Sequence, residues 1–218
     1  MKQILYFILS IALAAPLQAQ VVRKAFVNMP DSILPILTKV NRADCIDFLD
    51  SDMRALVKNR FDQQSEMTSL TEDYIAMQLS PRSRFEMKML PITDSTHVIC
   101  TIRTVCSKAC DSQLQFFTHD WAPLDSKNFI TLPSSTDFVP EKLPSQVADT
   151  LSTPWETLCA EADILLMQAS LSDTTSTLTF HYTTPQYMGK ESANRFIPLL
   201  KTEAVSYTWQ GGKFVRLP

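Results

Sequence analysis

The chain reads as an α+β protein, with N-terminal helices packed on antiparallel β-sheet of about eight strands. Three observations predict this. Arg84 to Leu124 alternates apolar and polar residues in runs separated by short polar turns, the pattern of an antiparallel meander. Arg42 to Asn59 repeats apolar residues at intervals of three and four, the pattern of a helix with one buried face. The chain then closes on two alternating runs that flank Gly211-Gly212, a hairpin signature.

Taken in order, Lys2 precedes the apolar run Ile4 to Ala15, and Pro16-Leu17-Gln18-Ala19 follows. A basic start, a short apolar core and a small residue at the cut describe a signal peptide over residues 1–19, cleaved after Ala19. The apolar run is short for a membrane span, and no other segment is apolar enough to supply one. No cysteine follows it, so a lipoprotein anchor is not expected. Export to the periplasm or beyond is the expected localisation. Residues 20–218 are expected to form one domain.

Residues 21–30 read as an extended lead. Asp31 or Ser32 is then expected to cap a helix, with Pro35 in its first turn and Ile33, Leu34, Ile36 and Leu37 as an apolar cluster. In the helix from Arg42 to Asn59, Ile46, Leu49, Met53, Leu56 and Val57 form the stripe, widened by Cys45 and Phe48. Its carboxylates Asp44, Asp47, Asp50 and Asp52 could serve acid–base chemistry. No His or Cys stands at a matching helical spacing, so they read as a solvated face, with Asp50 and Arg54 as an i,i+4 pair.

Thr71 to Leu79 is expected to be a strand, with Ile75, Met77 and Leu79 on one face. In the next strand Phe85, Met87 and Met89 take the apolar face and Glu86 and Lys88 the charged one. Val98, Cys100, Ile102 and Thr104 share a face of the third, and Leu114 and Phe116 mark the fourth. Thr93-Asp94-Ser95 and Cys110-Asp111-Ser112 mark the turns. Residues 125–154 carry Pro133, Pro140, Pro144 and Pro154 and read as an irregular connector between two β-rich halves.

The second half opens with a short helix from Trp155 through Ala160. Strands follow at 163–171 and 175–183, then a helix at 191–201 strained by Pro198. Val205, Tyr207 and Trp209 share one face of the closing hairpin. Met77-Gln78-Leu79-Ser80 is echoed by Met167-Gln168-Ala169-Ser170, an arrangement that two related four-strand units would produce.

Composition excludes several functions. Loss of residues 1–19 lowers the basic count from 20 to 19 against 23 acidic residues, a net of −4. With no basic patch, nucleic-acid binding is disfavoured. The three glycines, Gly189, Gly211 and Gly212, cannot build a phosphate-cradling or dinucleotide loop, so no cofactor is expected. No CxxC occurs and the three histidines are scattered, which argues against a metal site. All five cysteines lie beyond the leader. Cys106 and Cys110 are spaced to close a small loop as a disulfide, whereas Cys45, Cys100 and Cys159 sit in apolar patterns as small core residues.

No catalytic residue stands out. His181 faces Thr177 and Thr179, and His119-Asp120-Trp121 ends the meander, so a hydrolase with a dispersed site near His119 or His181 is the enzymatic alternative. No G-x-S-x-G elbow supports it. His97 reads as a turn residue. His119, Trp121, Tyr207 and Trp209 form the candidate binding surface of a non-enzymatic module, its partner a protein, glycan or lipid of the envelope.

Several short runs are shared with a known family. Phe26-Val27-Asn28-Met29-Pro30-Asp31-Ser32, Met87-Lys88-Met89-Leu90-Pro91, Phe116-Phe117 with Trp121, and Tyr207-Thr208-Trp209 with Gly212-Lys213-Phe214 together resemble a family of exported Bacteroidales proteins classed as a domain of unknown function. The resemblance spans nearly the whole chain after the leader. It implies an envelope or secreted setting in a gut-type anaerobe, and it implies no catalytic residues and no ligand.

Overall fold

The computed structural model describes residues 17–93 and 96–218. The predicted signal peptide up to Pro16 and two residues of the predicted turn at 93–95 lie outside that range. Helix α1 spans Leu17–Asn28 and α2 spans Lys39–Asp50. Seven strands follow: β1 (Leu56–Lys58), β2 (Gln64–Leu70), β3 (Tyr74–Ser80), β4 (Ser83–Pro91), β5 (His97–Cys106), β6 (Cys110–Phe117) and β7 (Pro123–Leu124). Each pairs antiparallel with the next, so the first sheet is a seven-stranded meander in chain order. The short helices α3 (Ser135–Phe138), α4 (Ser145–Ala148) and α5 (Trp155–Glu161) lead to β8 (Met167–Leu171) and β9 (Thr177–Tyr182). Helices α6 (Thr184–Tyr187) and α7 (Lys190–Phe196) precede β10 (Ala204–Gln210) and β11 (Lys213–Arg216). These last four strands form a second antiparallel sheet, ordered β11-β10-β9-β8.

The predicted four-strand meander is β3 to β6. Three further strands flank it, and two of them correct the sequence reading. Leu56 and Val57 do not continue α2. They pair with Glu66 and Ser65 as β1, after the chain has turned through Asp52 in a left-handed conformation (φ 55°). The polar run Gln64–Leu70 carries too little alternation to announce itself, yet it forms β2 against β3. The echoed segments Met77–Ser80 and Met167–Ser170 fall in β3 and β8. The closing hairpin turns on Gly211 (φ 56°) and Gly212 (φ 79°), a two-residue loop with positive φ at both positions.

The first sheet is buried on both faces. Ile75, Met77, Phe85, Met87 and Ile99 pack beneath α1 and α2, against Val22, Phe26 and Ile46. The opposite face, with Ala76, Leu90, Cys100, Ile102 and Phe116, packs on Ala169, Leu178, Phe180 and Tyr207 of the second sheet. The connector contributes Ile130 and Phe138 to that same core, so it is a covering layer built of short helices and turns. Pro198 ends α7 and leaves a single 3-10 turn after it.

The N-terminal segment departs most from expectation. Most of the predicted extended lead lies in the helix α1, whose Val22 and Phe26, with Met29 just beyond its end, recur at helical spacing and are almost fully buried. No helix starts at Asp31 or Ser32; residues 31–37 form consecutive turns. Two features explain this. Pro30 and Pro35 lack an N–H for a helical ladder. The buried guanidinium of Arg42 also captures local acceptors, donating to the carbonyls of Leu37 (2.8 Å) and Met29 and to the Asp31 carboxylate (3.1 Å). The helix begins instead at Thr38, whose Oγ1 accepts the Asn41 N–H while the Asn41 side chain accepts the Thr38 N–H. The proposed Asp50–Arg54 pair is replaced by longer-range partners: Asp50 meets Arg23 at 2.6 Å and Arg54 meets Glu66 at 2.6 Å.

Arg42 is 1% exposed, and removing it strands the carbonyls of Leu37 and Met29, while Asp31 is half-exposed and keeps Arg60 as a partner. Arg42→Ala is therefore expected to destabilise the protein by about 1–3 kcal/mol in chemical denaturation, against well under 1 kcal/mol for removal of the exposed Lys58–Asp62 pair.

Candidate functional site

The residues first considered for binding are dispersed. Trp121, Tyr207 and Trp209 are each no more than 8% exposed. Their polar atoms work inside the molecule. Trp121 adopts a left-handed backbone (φ 65°) and its indole N–H donates to the Ala25 carbonyl at 3.1 Å, fastening α1 to the sheet. The Tyr207 hydroxyl donates to the Thr131 carbonyl. The Trp209 indole donates to the Pro91 carbonyl at 2.7 Å. His119 is solvent-exposed beside Asp120, at 2.9 Å, in the turn before β7. His181 is exposed on the outer face of the second sheet, opposite Gln168 and Ala204. Neither His119 nor His181 lines the cleft described below.

Cys106 and Cys110 face each other as the last pair of the β5–β6 hairpin and are bonded through their sulfurs. Their tight turn is formed by Ser107 to Ala109, so Cys110-Asp111-Ser112 begins β6 and does not form the turn. Cys45 and Cys100 are buried free thiols, and Cys159 is partly exposed. Burial pushes the Cys45 thiol up to about 12 and the Cys100 thiol well above its ordinary value. Among the described residues no group of three or more His, Cys, Asp or Glu side chains is arranged to hold a metal.

Sequence reasoning passed over the residues that hold the two sheets together. Glu86 and Lys88, read as a charged outer face, are 2% and 1% exposed. Both point from β4 at the second sheet. The Glu86 carboxylate accepts the Leu171 N–H at 2.7 Å and pairs with Arg84 at 3.1 Å. Lys88 donates to the Ser172 carbonyl at 2.9 Å and to Asp73 at 3.1 Å, with its ammonium over the Tyr74 ring. Burial raises the Glu86 carboxyl above its ordinary range, with the Leu171 amide, Arg84 and Tyr74 opposing that shift.

Lys88 thereby ties two lips of a cleft of about 420 Å³. One lip is the β2–β3 turn with Thr71, Glu72 and Asp73, and the other is the β8–β9 turn with Asp173, Thr174 and Ser176. His97, at the start of β5, also lines it, while Met89 and Pro91 supply apolar wall. Trp209 stands behind this wall: its indole holds Pro91 and its backbone N–H donates to the Ser176 carbonyl at 2.9 Å. The cleft thus gathers three carboxylates, one imidazole and three hydroxyls. The Thr71 hydroxyl is engaged with Asp73 and with the Tyr74 N–H, and that of Thr174 with Ser172. Among the described residues no hydrogen bond joins His97 to any of these groups. These residues come from three distant segments, so no local motif announced them.

A family model described as a protein of unknown function (DUF3256) matches residues 14–214. A solved structure, of a domain of an uncharacterized protein from Porphyromonas gingivalis W83, is similar with a TM-score of 0.75 at 26% identity, covering 90% of this chain and 98% of that one. No curated protein matches the chain.

The direction of the Glu86 shift fixes a pH dependence. A carboxyl raised on folding contributes stability that is fully present below its unfolded value, near 4.5, and is lost as pH rises through its folded value. Glu86→Gln keeps an acceptor for Leu171 and removes the buried charge. Its melting temperature relative to the parent protein is expected to rise as pH is raised from 4 to 8. Glu86→Ala, which leaves the Leu171 N–H without a partner, is expected to cost about 1–3 kcal/mol.

Proposed function

The chain belongs to the DUF3256 family of unknown function, and from that premise we propose that it is an exported, non-enzymatic binding module that takes a cationic segment of a protein partner into the cleft between the β2–β3 and β8–β9 turns. The observation that carries this reading is the wall chemistry. Glu72, Asp73 and Asp173 crowd one cleft, and Lys88, buried behind the wall, pairs with Asp73 and with the Ser172 carbonyl. An incoming basic side chain meets the carboxylates of Glu72 and Asp173 there, with Met89 and Pro91 to receive its aliphatic stem. The same charge disfavours an anionic lipid headgroup.

Export is supported by the leader; a cut after Ala19 falls inside α1, in its first turn. Cleavage after Ala19 leaves Val22 and Phe26, the anchoring residues of α1, inside the chain that remains. No helix among the described residues is long and apolar enough to cross a membrane. The leader is what supports a periplasmic or secreted setting in the cell envelope.

A second reading is carried by one observation, that His97 shares the cleft with acids and hydroxyls, the residue types that hydrolysis uses. It ranks second because His97 is not joined to any of them. His119 and His181, of the enzymatic alternative, are both exposed and do not line this cleft.

Titration of the purified protein with lysine-rich and glutamate-rich peptides, followed by NMR, separates these readings. The lysine-rich peptide alone is expected to shift the amides of Thr71 to Asp73 and Asp173 to Ser176, with affinity falling as salt rises. Glu72→Gln with Asp173→Asn is expected to weaken it at least tenfold, the loss of two charge-assisted contacts. Shifts that map elsewhere, or an unchanged affinity in the double variant, would sink the binding reading. Export is tested separately: N-terminal sequencing of the protein from its native cells is expected to begin at Gln20.

A further inference from the structure

The second sheet presents β8 as its outer strand, and the amides of Met167, Ala169 and Leu171 point away from β9. In an ordinary edge these donors meet water or a stray strand. Here each is taken by a side chain of the first sheet. Asp111 accepts the Met167 N–H at 3.3 Å, Ser112 accepts the Ala169 N–H at 2.9 Å, and Glu86 accepts the Leu171 N–H at 2.7 Å. Beside them the Thr183 hydroxyl donates to the Cys110 carbonyl. Asp111 and Ser112 therefore hold one end of β8, and Cys110 beside them holds Thr183 just beyond β9.

Those three residues are the weakly supported end of β6. Its outer neighbour β7 pairs only with Phe116 and Phe117, at the far end. Cys110 to Ser112 have β5 alone beside them. The β5 side of the tip is anchored further, since the Cys106 N–H donates to the Arg82 carbonyl at 2.8 Å. The disulfide joins β5, anchored at Arg82, to the strand end that carries the acceptors for β8, where Ser112 also meets the Thr104 hydroxyl at 2.8 Å, and both cysteines are partly exposed.

We propose that the Cys106–Cys110 disulfide is a redox-controlled latch on the second sheet: its reduction by a dithiol frees the start of β6 and releases the β8 amides at Met167 and Ala169. The thiolate of the dithiol attacks one sulfur, breaking the S–S bond and forming a mixed disulfide. The second thiol of the reagent resolves that intermediate. The reagent leaves as its own disulfide, and Cys106 and Cys110 gain two electrons and two protons as thiols. The Leu171 amide, held by Glu86 from the middle of β4, stays in place.

The test is residue-resolved hydrogen exchange of the oxidised protein and of the same protein treated with dithiothreitol, with alkylation and mass spectrometry reporting the state of Cys106 and Cys110. Reduction is expected to speed exchange at Met167 and Ala169 roughly fivefold to tenfold, the loss of about one hydrogen bond each, and to leave Leu171 and the β3 amide of Met77 unchanged. Ser112→Ala in the oxidised state is expected to speed Ala169 alone. Unchanged exchange at Met167 and Ala169 with both cysteines alkylated overturns the latch. So does equal acceleration at Met77, which would make the bond a staple of the whole fold.

Discussion

Two charged side chains on one face of β4 decide how the two sheets meet. An edge strand laid over another sheet would bury amides that water no longer reaches, and each unpaired amide costs about 1–3 kcal/mol. Glu86 answers one such donor of β8, and Lys88 answers the carbonyl of Ser172 just beyond the strand. Asp111 and Ser112 continue the same row along β8. The contact is therefore directional as well as apolar. Leu90, Ile102 and Phe180 would pack in many slightly shifted arrangements, but the hydrogen-bond row permits one. That specificity is set against the expense of burying a carboxylate, which the raised Glu86 carboxyl records.

The opposite face of the first sheet is closed by different means. There α1 and α2 bring a conventional apolar stripe, and the polar problem sits in the connection between them. Residues 29–37 cannot run as a helix past Pro30 and Pro35, so their carbonyls need donors from elsewhere. Arg42 supplies them from inside α2. Each face of the first sheet thus depends on a buried charged residue that satisfies backbone outside any regular ladder. Sheet and helix propensity alone would leave both layers loosely placed.

Much of this architecture was legible in the sequence. The strands β3 to β6, the glycine hairpin and the short helix at Trp155 follow from alternation, turn chemistry and a proline start. What failed shares a physical cause. Period-two patterning reports which residues share a face, not what that face meets, so Glu86 and Lys88 passed for solvent-facing charges. Val22, Phe26 and Met29 stand at helical spacing, but the stretch adjoins the apolar run read as a leader and carries Val21-Val22, and it read as extended. The strand β2 is polar because it lies near the edge of its sheet, where Thr68 and Gln64 face water. The aromatic residues Trp121, Tyr207 and Trp209 were visible, while their roles were not: an indole over a ligand and an indole tying a helix to a sheet look alike in one dimension.

The candidate site was the least legible part, and the fold explains why. Its walls come from the β2–β3 turn, the start of β5 and the β8–β9 turn, which lie up to about a hundred residues apart and meet because both sheets end at the same place. The alignment of those ends is itself set by the buried row. Lys88 reaches Asp73 on one side and Ser172 on the other, and Trp209 grips Pro91 and Ser176. The residues that shape the cleft are therefore core residues behind it, their polar atoms turned to Asp73, Ser172, Ser176 and Pro91. The residues that face it, Glu72 and Asp173, are ordinary exposed acids that any solvated turn could carry. A site divided in this way, with buried positioning residues and interchangeable-looking rims, leaves no motif in the chain and becomes visible once the register between the two sheets is known.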